Sequence, residues 1–201
     1  MLMTWSGALI YWANDIYRIG IGKITLFHFF PDGFYRLVHI DHRLAEGMAW
    51  HFTLAWLFSM TGILYVFYLI FSGEWRELVP RATSWRDAWG VALHDLGLRA
   101  DAPPHGKLNA AQRIAYTAVI LMGAGSVTTG LAIYKPVQLS WITTACGGYE
   151  AARFEHFWLT IGYLVFLGVH VAQVMRAGWN NFRAMVAGFE VVETPKKDGP
   201  K

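Results

Sequence analysis

The chain has 201 residues, 55% of them hydrophobic and only 15% charged, and its mean hydropathy is +0.31. The surface of a soluble domain of this size needs more charge, so a membrane protein is expected. The net charge of +3 is carried mainly in connecting segments and suggests no nucleic-acid partner, while the single cysteine, Cys146, excludes an internal disulfide, a Cys-only iron–sulfur cluster and a covalent c-type haem site.

In chain order, Met1 to Ala13 is apolar and is followed by Asn14, Asp15 and Arg18. As a helix it reaches about 20 Å, short of a bilayer core of about 30 Å. It reads either as a half-inserted segment or as the second half of a spanning helix that begins upstream. It lacks the basic leader and small-residue cleavage pattern of a signal peptide. His28, His39 and His42 follow among Phe, Asp and Arg, and read as interfacial or loop residues, with a cofactor contact by one of them as the lesser alternative.

Gly47 to Gly73 contains no Asp, Glu, Lys or Arg. Ile114 to Tyr134 is a second such run, between Arg113 and Lys135, with Pro136 just beyond. His156 to Met175 is a third, between Glu155 and Arg176. Roughly 20 apolar residues cross a bilayer core, so each qualifies as a span. His94 and His105 lie in the polar connection from Glu74 to Arg113 and read as surface residues. The closing "GWNNFRAMVAGFEVVE" has Phe182, Met185, Val186 and Phe189 at helical spacing, which suggests a short interfacial helix. The last residues, "TPKKDGPK", read as disordered.

The expected fold is an all-α membrane protein: a four-helix transmembrane bundle with an incomplete first helix, plus a C-terminal interfacial helix. Residues 1–190 form one domain and residues 191–201 a polar tail. The long connection and the C-terminal tail together carry eleven Lys and Arg, against six elsewhere. That bias puts both on the inside, in the cytoplasm of a bacterial inner membrane.

Three histidines belong to the spans: His51, His156 and His170. Ionisable groups at membrane depth are rare and mark pathways or cofactors; the plainer alternative is a neutral imidazole hydrogen-bonded to a neighbouring helix. Spacing bears on the choice. Fourteen residues advance a helix by about 1400°, so His156 and His170 fall within roughly 40° on one face, about 21 Å apart along the axis. That suits two stacked haems at two depths. With the long loop inside, the first and third spans both begin outside, so His51 and His156 share one depth. Two imidazoles from facing helices are the axial ligands of a low-spin b-type haem. The small residues of "GAGSVTTG", 123 to 130, give the middle span a face for close helix packing or for the approach of a flat macrocycle.

These residues resemble the cytochrome b subunits of membrane formate dehydrogenases, nickel–iron hydrogenases and thiosulfate reductases, the last most of all. The resemblance rests on "AWHFTLAWLFSMTGILYVFYLIFSGEWRELVP", "GKLNAAQRIAYTAVI", "TTGLAIYKP", "FEHFWLTIGYLVFLGVHVAQV" and "GWNNFRAMVAGFE". It implies a bundle holding two haems b, relaying electrons between the quinone pool and a partner subunit with molybdenum, nickel–iron or iron–sulfur centres. His51 and His156 match the outer haem's ligands, and His170 matches one ligand of the inner haem. Asn109 and Gln112 match polar residues near the quinone. An Asn and a Gln three apart can hydrogen-bond a quinone carbonyl, and they can equally cap a helix. Arg43 and Arg153 are candidates for pairing haem propionates, with interfacial anchoring as the plainer role.

The departure from the family is at the start. The family's first helix carries an inner histidine that partners the His170 equivalent, and here none precedes His28. Either an upstream extension supplies it, or the chain holds one bis-histidine haem. The chain itself is expected to hold no catalytic residue, only an electron-transfer role within a larger oxidoreductase. Two alternatives stand beside this reading: a haem-free anchor or small transporter with structural or proton-carrying histidines, and an ascorbate-type dihaem cytochrome acting alone.

Overall fold

The computed structural model describes residues 1–14, 17–22, 24–40, 42–95, 97–101, 107–178, 182–183 and 187–189. The main elements are α1 (Leu2–Tyr11), a hairpin of β1 (Arg18–Ile21) and β2 (Ile24–His28), α2 (Asp32–Leu37), α3 (Leu44–Ser72), α4 (Trp75–Leu78), α5 (Ser84–Asp95), α6 (Ala110–Tyr134), α7 (Ser140–Ala145) and α8 (Tyr149–Ala177). Among the described residues, α3, α6 and α8 are long and apolar enough to cross a membrane. Their outward faces keep large apolar side chains exposed, as Trp56, Leu57 and Phe71 do on α3. In a chain that spans a membrane, that is the face for lipid, where no water penalises apolar surface. The protein is an integral membrane protein.

The helices pair two by two. α1 runs antiparallel to α3, and α6 antiparallel to α8, with fewer contacts between the pairs. The α1–α3 pair closes at Gly47, where a Cβ would lie 2.6 Å from Leu9 Cβ. The α6–α8 pair closes in the same way at Gly125, where a Cβ would meet Leu159 Cδ1 at 3.2 Å, and at Gly162, against Met122 Sδ at 2.8 Å. Small residues at these levels let backbones approach and gain dispersion contacts that larger side chains would block. α3 terminates at Gly73, whose φ of 74° is the left-handed helix-ending conformation.

Several expectations shift. The three long helices extend beyond the charge-free runs. α8 begins at Tyr149 rather than His156, because Glu150 and Arg153, one turn apart, pair at 3.3 Å and let a charged first turn stay helical. The fold is the expected all-α membrane type, with one small addition, the hairpin of β1 and β2, in which Ile21 pairs with Ile24 and Arg18 with His28. Its strands are almost wholly exposed, so they lack the in–out alternation that betrays a half-buried strand. The expected C-terminal interfacial helix and polar tail lie mostly outside the described residues.

At the end of the bundle where α6 begins, α5 packs against α6. Arg113, buried at the start of α6, donates to Glu77 at 2.7 Å, and Thr117 donates to the Leu78 carbonyl at 2.9 Å. On the other side an aromatic cap gathers around Phe157. Tyr11, Tyr17 and Phe29 lie with ring centres 5.1, 4.6 and 5.3 Å from it. Burial pushes the Tyr17 phenol above its ordinary pKa, which keeps it un-ionised.

Candidate functional site

His51 and His156 each stand two turns into their helices, α3 and α8. Because these helices run parallel, equal offsets give equal depth, and the rings face each other with centres 6.2 Å apart and planes at 74°. Each ring has a partner from the antiparallel helix behind it. Ser6 Oγ of α1 lies 3.0 Å from His51 Nδ1, and Thr129 Oγ1 of α6 lies 2.9 Å from His156 Nδ1. Ser6 is fully buried and Thr129 nearly so. In each case the next residue is glycine, against the same ring. A Cβ on Gly7 would lie 3.6 Å from His51 Cε1, and one on Gly130 would lie 3.5 Å from His156 Cε1. The site is thus two copies of one arrangement: a hydroxyl and a glycine on one helix, cradling an imidazole on the next.

This arrangement fits a haem. An imidazole on each side of one metal atom, with bonds of about 2.0 Å and about 1.1 Å from nitrogen to ring centre, would put the ring centres about 6.2 Å apart. The observed spacing agrees. With Nδ1 engaged on both rings, Nε2 is the nitrogen left for coordination. No group of three or more His, Cys, Asp or Glu stands ready for a metal ion among the described residues. Two imidazoles alone make a poor cage for a bare cation, but they complete the coordination of an iron that already has four porphyrin nitrogens. The aromatic cap around Phe157, the neighbour of His156, keeps that end apolar and limits water access.

The other sequence candidates are placed apart from this pair. His170 lies on α8 fourteen residues beyond His156, exposed and stacked on Phe166 with ring centres 5.9 Å apart. One turn further, Gln173 donates to Asp95 of α5 at 2.7 Å. Asn109 and Gln112 form a reciprocal capping box at the start of α6. Asn109 Oδ1 accepts from the Gln112 amide at 2.8 Å, and Gln112 Oε1 accepts from the Asn109 amide at 3.0 Å. Both carbonyl oxygens are occupied by the cap, while the amide NH2 groups are the donors a quinone carbonyl requires. Asn109→Ala is therefore expected to cost about 1 kcal/mol of stability through the cap alone. Thermal unfolding in detergent measures that cost independently of any quinone.

Arg43 pairs with Glu46 at 2.5 Å and donates to the His39 carbonyl at 3.2 Å. Arg153 pairs with Glu150 and lies 5.8 Å over the Tyr149 ring. Each guanidinium already has a carboxylate from its own helix. Sequence reasoning missed Ser6 and Thr129. A detectable signal existed, since each hydroxyl precedes a glycine in an apolar helix, as "SG" and "TG".

Parallel spanning helices that present two facing imidazoles suit a membrane cytochrome of the b type. The model of the prokaryotic cytochrome b561 family matches residues 2–188, and the chain belongs to this family of haem b electron-transfer proteins. It is also 35% identical over 147 residues, 73% of each chain, to a protein of Azospira oryzae named as the protein-methionine-sulfoxide reductase subunit YedZ1. No solved structure matches it.

Proposed function

We propose that the chain is the membrane cytochrome subunit of an oxidoreductase, relaying electrons between the quinone pool and a partner with its own redox centre. The observation that carries this reading is the facing His51–His156 pair at 6.2 Å. In the proposal these two imidazoles would hold an outer haem b, which when bound would supply a one-electron couple. With His51 on one side and His156 on the other, such a group would exchange electrons without binding substrate. The chain's own residues hold the two rings at one depth and exclude water.

His170, about 21 Å further along α8, is the proposed ligand of a second, inner haem. Asn109 and Gln112 flank the quinone entrance through their free NH2 groups. Arg43 and Arg153 would exchange their present carboxylates for propionates. The loop charge supports an inner-membrane protein with residues 74–113 in the cytoplasm, which puts the outer pair near the opposite face. The partner then docks on the outer side and carries molybdenum, nickel–iron or iron–sulfur chemistry. The Azospira relative, named as a reductase subunit, supports a reductase as that partner.

One observation favours a second reading. Ser6–His51 and Thr129–His156 are helix-to-helix hydrogen bonds, which a haem-free anchor would also use. A reduced-minus-oxidised spectrum of the purified, haem-supplemented chain separates the two. The cytochrome gives b-type Soret and α bands, and quinol reduces it. A chain that remains colourless is the anchor.

A further inference from the structure

A hydroxyl has one proton to donate. Ser6 Oγ lies 3.0 Å from the Met3 carbonyl, and Thr129 Oγ1 lies 2.8 Å from the Gly125 carbonyl. Carbonyl oxygens only accept, so both protons go to backbone. Toward the imidazoles, at 3.0 and 2.9 Å, both hydroxyl oxygens must then accept. It follows that Nδ1 of each histidine carries the hydrogen and Nε2 carries the lone pair. Helical Ser and Thr commonly bond back to their own helix, and here that ordinary habit turns each hydroxyl into an acceptor for the ring beyond it. The same chain of donors occurs twice, on two separate helix pairs. In both copies the hydroxyl is buried.

We infer that Ser6 and Thr129 are the positioning residues of the redox site, fixing both imidazoles in the Nδ1–H tautomer and holding down the reduction potential of the iron they ligate. This rests on the haem reading above. An acceptor at Nδ1–H raises the basicity of the coordinating nitrogen. A more basic ligand favours ferric over ferrous iron, so the midpoint potential falls. Two such acceptors, one per face, act in the same direction. A purely structural role for the hydroxyls would hold the helices together without moving the potential.

The test uses the full chain, haem-loaded in detergent, as wild type, Ser6→Ala, Thr129→Val and Thr129→Ser. Potentiometric titration of the α band reads the midpoint. Ser6→Ala and Thr129→Val are each expected to raise it. A tenfold loss in the preference for ferric iron corresponds to a rise of about 59 mV for one electron. Thr129→Ser, which keeps the acceptor, is expected to hold the wild-type value. Unchanged midpoints in both hydroxyl-free variants overturn the inference, as does a Thr129→Ser shift as large as that of Thr129→Val. If Thr129→Val loses its haem outright, retention of haem at the native midpoint in Thr129→Ser supports it, and loss of haem in both overturns it. A wild-type chain that never takes up haem defeats the underlying cytochrome reading instead, before any variant is compared.

Discussion

His156→Ala is expected to yield a chain that inserts and folds but lacks the low-spin b-type spectrum of the outer haem, and His51→Ala is expected to do the same. Disturbing only the groups behind a metal ligand costs about 10–100-fold in affinity. Removing the ligand itself should cost more than about 100-fold, enough to empty the site at ordinary haem concentrations. The loss should reach beyond colour. In the structure α1 clasps α3 and α6 clasps α8, but the two pairs share few contacts. His51 belongs to one pair and His156 to the other, so a group ligated by both bridges them. A ligand at 1,000 times its dissociation constant stabilises the state that binds it by about 4.1 kcal/mol. Wild type should therefore show a clear rise in thermal midpoint on haem addition, and either alanine variant should show a distinctly smaller one. A variant that retains the native spectrum and the haem-dependent rise would remove that histidine from the site.

The second large effect is expected at Gly47. A Cβ there would lie 2.6 Å from Leu9 Cβ and 3.2 Å from the Leu9 carbonyl carbon. The obstacle includes backbone, so a side chain can be accommodated only by moving α1 away from α3. Ser6 sits one turn from Leu9 on α1, and His51 one turn from Gly47 on α3. The same displacement therefore breaks the Ser6–His51 contact. Gly47→Leu should cost at least about 1–3 kcal/mol through overpacking, and the haem-to-protein ratio should fall with it. Gly62 provides the control on the same helix, because a Cβ there meets nothing within 4 Å. Gly62→Ala should leave haem content unchanged and favour the helix by about 1 kcal/mol. Equal haem content in Gly47→Leu and Gly62→Ala would show that the α1–α3 approach does not matter to the site.

The parts of this design legible in the chain are those governed by one helix at a time. Runs without charge marked the three spans, because the bilayer penalises charge wherever the helix points. The offset between His51 and His156 was readable because helical rise converts residue count into depth. Pairing across helices was not readable. Ser6 and Thr129 look like ordinary small polar residues in apolar runs, and only the docking of α1 on α3 and of α6 on α8 turns them toward an imidazole. Asn109 and Gln112 show the opposite case, a local capping box whose spacing permitted two readings and whose geometry realises the capping one. The start of α8 was misplaced because Glu150 and Arg153 look like loop residues until their one-turn pairing is seen.

Taken alone, the amino-acid order determined that this protein lives in a membrane, where its helices cross, and which imidazoles share a level, since hydropathy and helical pitch are properties of a single segment. The tertiary structure decided which nitrogen of each ring is engaged, what holds it and how closely the helices approach. Those depend on glycines and hydroxyls meeting across 3 to 4 Å gaps between segments, and no periodicity within one segment encodes such a distance.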